Sequence, residues 1–196
     1  MISDLGARLR RRATALALDG FFEGSARLGK LHPRSRPQRH GVEVLRDVPY
    51  ELDGERAHLL DVYRPIRRDS PLPAVLYVHG GGFRILSKET HWVMGLAFAR
   101  AGYVVFNIGY RLAPRHPFPA AVQDCASALA WLVRHGARYG ADVDRLVLAG
   151  ESAGANLITA LTAMCCYRRQ EPWARRAFEL GVVPQVLLPY CGILQV

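Results

Sequence analysis

The spacing of apolar residues changes character along the chain, and the changes divide it into elements. Over residues 3–18, Leu5, Leu9, Ala13 and Leu16 recur at near-helical spacing behind Ser3, a residue able to cap a helix, and a second short helical piece is predicted over 20–31. A proline- and arginine-rich connector follows, with Arg34, Arg36 and Arg39 set around Pro33 and Pro37. Two β-rich stretches, 41–52 and 58–63, are separated by the turn residues Asp53 and Gly54 and read as paired opening strands.

From residue 74 the pattern alternates. Strands are predicted over 74–78, 103–108, 145–149 and 183–189, and helices over 92–101, 120–135 and 153–167. In the 120–135 helix, Val122, Cys125, Ala126, Leu129, Leu132 and Val133 share one stripe, and Gly136 is the expected C-terminal stop. Strands alternating with helices imply an α/β fold, a mostly parallel sheet covered by helices on both faces. The chain divides into an N-terminal helical cap or extension with its basic connector, 1–40, and an α/β core, 41–196.

Half of the 196 residues are hydrophobic, enough for one sizeable core. No apolar run reaches the roughly 18 to 20 residues of a membrane helix. The arginines at 8 and 10–12 precede too short an apolar segment for a signal peptide, so a cytoplasmic protein is expected. The net charge of +9 would suit nucleic acid, but the basic residues are scattered and no nucleic-acid motif accompanies them, so no such partner is expected. Cys125, Cys165, Cys166 and Cys191 lack metal-ligand spacing and are expected to be reduced and buried; neither metal nor cofactor is implied. The oligomeric state is left open by the sequence.

Chemistry enters with Gly150-Glu151-Ser152-Ala153-Gly154, which directly follows a predicted strand and opens a predicted helix. That is the setting of a nucleophile elbow, in which a tight turn presents a serine hydroxyl at the top of the sheet. A second motif, His79-Gly80-Gly81-Gly82-Phe83, follows the 74–78 strand, where glycines can expose backbone N–H groups to an oxyanion. Within it His79 reads as a loop-ordering residue rather than a base. His32, His40, His58, His91 and His135 read as ordinary surface or core histidines, and Asp124, off its helix's apolar stripe, as a packing or surface residue.

Those two motifs and a third block, Tyr110-Arg111-Leu112-Ala113-Pro114-Arg115-His116-Pro117-Phe118-Pro119-Ala120-Ala121, resemble the hormone-sensitive-lipase-like group of α/β-hydrolases, which includes bacterial carboxylesterases and arylacetamide deacetylases. The resemblance runs from about residue 42 to the C-terminus. It implies that Ser152 attacks a small-molecule ester carbonyl while the N–H groups of Gly81, Gly82 and Ala153 hold the oxyanion, with His79, Gly80, Glu151 and Tyr110 in support. Glu151 stands where many members carry aspartate. In this fold the triad acid and histidine follow the serine, yet after Ser152 the sequence has neither Asp nor His, only Glu171 and Glu179. The fold is therefore expected to be truncated after the strand that follows the nucleophile helix, and this chain alone to be nearly inert. His116, in a loop on the elbow's edge of the sheet, is the upstream candidate for a base, although its motif position points to a structural role. A receptor-like binding protein or an inert fragment on the same scaffold, or an amide deacylase or acyltransferase, would carry the same motifs.

Overall fold

A computed structural model describes residues 2–192, with side chains described at residue 14 and from residue 17 onward. Six strands form one sheet in the order β1-β2-β4-β3-β5-β6. They are β1 (Val42–Pro49), β2 (Leu59–Pro65), β3 (Leu72–Val78), β4 (Val104–Ile108), β5 (Ala141–Glu151) and β6 (Val186–Tyr190). The opening strands β1 and β2 pair antiparallel, as their turn-linked pattern implies, and β2 lies antiparallel on β4. The remaining pairs, β4 with β3, β3 with β5 and β5 with β6, are parallel.

Side chains alternate across the sheet, so each strand serves two cores. Ala74, Leu76 and Val78 of β3 join Phe106, Ile108, Leu146 and Leu148 beneath α3 (Ala120–His135), α4 (Ala153–Cys166) and α5 (Pro172–Glu179). On the other face, Val75, Tyr77, Val105 and Val147 pack against Leu96 and Ala99 of α2 (Trp92–Arg100). Strands buried on both faces are nearly continuously apolar, which is why the 74–78 and 104–108 runs lack a polar alternation; the exception, buried Asn107, donates its side-chain amide to the Lys88 carbonyl at 2.9 Å.

Several expectations are corrected. The two predicted N-terminal helices are one, α1 (Ile2–Leu31), running through Gly20 and Gly24; Ser3 falls inside it, and the side chains of Leu5, Leu9, Ala13 and Leu16 lie outside the described residues. The helix α3 ends at His135 with Gly136 as its C-cap, as expected, but Gly136 is not the left-handed residue that a glycine stop implies. It keeps right-handed helical angles and leads into a 3-10 turn, and the left-handed residue that ends the segment is Gly140, with φ 85°. The helix α5 was not predicted, although Pro172 at its first position is a start signal. Cys125 and Cys165 are buried as expected, but Cys166 and Cys191 are exposed. Among the described residues no helix is long and apolar enough to cross a membrane, and no group of three metal-ligating side chains is assembled.

Candidate active site

The C-terminal ends of β3 and β5 lie side by side, with Val78 in register with Gly150, so the two glycine-rich motifs meet at one sheet edge. Ser152 sits between β5 and α4 with φ 53° and ψ −113°, a backbone conformation rare for a residue with a side chain. Its N–H donates to the Tyr190 carbonyl at 2.8 Å and its carbonyl accepts from Asn156 N at 3.1 Å, so β6 and the first turn of α4 hold the strained turn from both sides.

Close approach explains the glycines. A Cβ on Gly154 would overlap the carbonyl oxygens of Val78 and His79, so the helix can start against β3 only without a side chain there. Gly154→Ala is expected to lower stability by about 1–3 kcal/mol, as overpacking does elsewhere, with a reduced urea midpoint as the readout. A Cβ on Gly80 would lie 2.9 Å from the Glu151 carbonyl oxygen and 3.4 Å from Ser152 Cβ, which places the first glycine of the triplet directly against the elbow. The Gly81 carbonyl accepts from Arg84 N at 3.0 Å and Ile85 N at 3.1 Å, curling the loop. The N–H groups of Gly81, Gly82 and Ala153 make no hydrogen bond to another described residue.

His79 is 1% exposed and stacks on Tyr110, with ring centroids 4.2 Å apart. Its Nδ1 lies 2.7 Å from the Gly80 carbonyl oxygen, and the Tyr110 hydroxyl donates to the His79 carbonyl at 2.9 Å. Burial pushes the imidazole down to about 3, helped by neighbouring His91. The neutral ring then donates from Nδ1 to Gly80, an ordering role. Because the folded pKa lies below the unfolded one, the stability tied to this burial is fully present above about pH 6.5 and is lost as pH falls towards 3, at about 1.4 kcal/mol per pH unit. His79→Gln is therefore expected to unfold with a shallower acid limb in urea titrations across that window.

Two buried ion networks brace the surrounding loops. Asp124, 2% exposed, accepts from Arg111 Nη2 at 2.6 Å and Nε at 3.0 Å, and from Arg111 N at 2.8 Å; His58 Nε2 lies 3.2 Å away. Of the two roles the sequence left to Asp124, the structure gives it the buried one. Lys88 Nζ, 2.7 Å from both Asp47 and Asp61, pins the loop after the glycine triplet to the opening strands. His91 in that loop is not a bystander: its Nε2 lies 3.5 Å from Glu151, the residue before Ser152. Burial lowers its pKa, while the Ser87 carbonyl and Glu151 oppose the shift. The helical spacing of the sequence carried no signal for either contact.

No histidine of the described residues is hydrogen-bonded to Ser152. Of Glu171 and Glu179, the only acids after Ser152, the first is the N-cap of α5 and the second its last residue, and Glu179 lines a cavity with Asp124 rather than the elbow. An apolar cavity of about 710 Å³ reaches from Gly82 and Phe83 past Asn156 and Leu157 to Met164 and Trp173. A second cavity, of about 620 Å³ and rich in charged side chains, lies between α1 and the loops at 84–90 and 109–116. His116 lines both, and Ser152 lines neither.

A family model described as the alpha/beta hydrolase fold matches residues 75–190. Over 160 residues the chain is 34% identical to carboxylesterase NlhH of Mycobacterium tuberculosis, covering 77% of this chain and 47% of that one. It is 39% identical over 118 residues to ethyl acetate hydrolase of Pseudomonas putida, covering 58% and 37%. Among solved structures, the hyperthermophilic esterase from Pyrobaculum calidifontis aligns with a TM-score of 0.59 at 33% identity, covering 78% of this chain and 48% of that one. Esterase B from Lactobacillus rhamnosis aligns with a TM-score of 0.72 over 95% of this chain and 56% of that one; at 24% identity that likeness concerns the fold alone. The chain spans about half the length of the curated relatives it matches.

Proposed function

The chain belongs to the α/β-hydrolase fold family, and from that premise we propose that it is the nucleophile-bearing part of a serine hydrolase acting on carboxylic esters of small molecules. The observation that carries the proposal is the strained Ser152, packed against a loop whose N–H groups at Gly81 and Gly82, with that of Ala153, make no hydrogen bond to another described residue and can donate to a ligand oxygen.

In the proposed reaction Ser152 Oγ attacks the ester carbonyl carbon, the carbonyl π pair moves onto oxygen, and the three N–H groups hold the resulting oxyanion. The serine proton passes through water to the leaving oxygen as the C–O bond breaks, so the alcohol departs and an acyl-enzyme remains; water then attacks that acyl group, releasing the acid and restoring the Ser152 hydroxyl. Each oriented donor of this kind is worth about a hundred- to a thousandfold in rate. The N-terminus of α4 adds favourable electrostatics to the developing negative charge. His79, Gly80, Glu151 and Tyr110 act by position: the first two shape the donor loop, Tyr110 ties down the His79 carbonyl, and Glu151 meets His91. The resemblance of the matched relatives, named as carboxylesterases and esterases, supports the ester as substrate.

Butylboronic acid tests the nucleophile and its oxyanion donors without requiring a base. Its boron accepts the Ser152 oxygen, the hydroxyl proton passes to solvent, and the tetrahedral boronate oxygen takes the oxyanion position. Boron NMR is expected to show a saturable tetrahedral species that Ser152→Ala abolishes. A protein that only binds ligands, the second reading and one favoured by the lack of a histidine bonded to Ser152, would leave the boron trigonal; that result, or an adduct surviving Ser152→Ala, rejects the hydrolase reading.

A further inference from the structure

The charge-rich and apolar cavities share Arg84, Arg111, Ala113 and His116 as a common wall, and the wall stands beside the loop that meets Ser152. We propose that the charge-rich cavity binds the anionic end, a carboxylate or phosphate, of a bipartite ester whose other arm is apolar and lies in the adjoining cavity. The proposal deepens the hydrolase reading and rests on it for the word ester.

The charge on the cavity wall is not balanced by the wall itself. Arg27 pairs with Glu23 at 3.0 Å, Lys88 with Asp61, Asp47 and Glu89, Arg56 with Glu89 at 4.0 Å, and Arg111 with Asp124. With these set aside, Lys30, Arg84 and Arg115 also line the cavity, and none of the three forms an ion pair with a described residue. The remaining wall carboxylate, Glu55, accepts from Ala57 N at 3.4 Å. Set against the one carboxylate without an ion pair, Glu55, the three cations leave the wall of this half-open cavity with an excess of positive charge, and their chemistry suits an anion: each guanidinium offers paired donors in a planar fork, and the ammonium a compact charge.

Lys30 adds a second observation. Burial, and after it the positive charge of Arg46, lowers its pKa, opposed by Glu89 and Asp61. An anion entering the cavity would supply the partner that this half-buried ammonium lacks. The other arm has its own container, since Phe83, Val122, Leu157, Met164 and Trp173 make the neighbouring cavity largely apolar. Gly82 and Asn156 bring that cavity to the edge of the elbow, so a molecule spanning both would carry its ester past the free N–H groups.

Calorimetric titration of the Ser152→Ala chain, which binds without chemistry, tests the site with three probes: monohexyl succinate, monohexyl phosphate and the neutral methyl hexyl succinate. Each anionic probe is expected to bind about ten- to a hundredfold more tightly than the neutral diester, the range expected for charge-assisted hydrogen bonds. The relative affinity of succinate and phosphate probes assigns the anion. In the combined variant Lys30→Gln, Arg84→Gln, Arg115→Gln the preference is expected to vanish while affinity for the neutral diester stays within about twofold, which also verifies that the variant folds. If that variant loses the neutral probe as well, the three single variants carry the comparison, and each should weaken only the anionic probes. Equal affinity for charged and neutral probes, absence of binding by all three, or a preference surviving the triple variant would overturn the proposal; survival would trace the preference to the remaining net positive charge. The boronic acid result is independent: an anion preference without a boronate adduct keeps this site and removes the hydrolase reading, and the converse outcome does the reverse.

Discussion

The 196-residue chain, assayed alone, is expected to hydrolyse p-nitrophenyl butyrate about a millionfold more slowly than a serine esterase whose histidine is in place, with Ser152→Ala changing the rate only slightly. Loss of the histidine in a serine hydrolase costs about as much as loss of the whole triad, because an unactivated hydroxyl is a poor nucleophile. What remains, about 10³ to 10⁴ over water, comes from oxyanion donors and binding, neither of which needs Ser152.

The histidines present offer no ready substitute. Nδ1 of His79 is committed to Gly80, His91 lies among Thr90, Ser87 and Glu151, His58 lies between Asp53 and Asp124, and His135 packs on Trp131. His116, on the shared cavity wall, is the one placed to be asked. Serine-dependent turnover well above the ten-thousandfold residual level would overturn the expectation, and its loss in His116→Ala would identify the base. A rate unchanged by Ser152→Ala would leave a nucleophile without its base.

The largest expected effect on stability comes from Asp124→Ala, at about 3 kcal/mol or more, measured as a lowered free energy of unfolding in urea. Removing one partner of a buried ion pair typically costs about 3–5 kcal/mol, because the other charge stays buried without its counter-ion. Here the Asp124 carboxylate is 3% exposed and Arg111 26%, so some water reaches the guanidinium and the lower end of that range applies. Asp124 also accepts from the Arg111 backbone N–H, so the chain just after β4 loosens in the variant, and with it the Tyr110 hydroxyl that holds the His79 carbonyl. Against a total stability of about 5–15 kcal/mol such a loss is severe. Asp124→Asn, which keeps an acceptor for the N–H, is expected to lose less. A cost below about 1 kcal/mol for the alanine variant would show that solvent, not Asp124, satisfies Arg111.

Much of the scaffold is local physics and was legible in the sequence. A two-residue or continuous apolar period marks a strand and a 3.6-residue period a helix, so α3 and α4 and the six strands follow from their own residues, with ends displaced by a few positions. The elbow was equally legible, because Gly150, Ser152 and Gly154 answer to one turn and its immediate contacts. The placement of β2 against β4 rather than β3 was not, since the pairing partners of a strand depend on which surfaces remain free after the others have joined. Asp124 and His91 show the same limit at the site. Each is a polar residue in or beside a helix, and its own segment does not reveal that Arg111 is 13 residues away in sequence yet in contact, or that the Glu151 carboxylate lies 3.5 Å from the imidazole. Local sequence determined the period and the glycine-flanked turn at Ser152; tertiary structure decided which charges meet, because burial brings together groups that the order of the chain keeps apart.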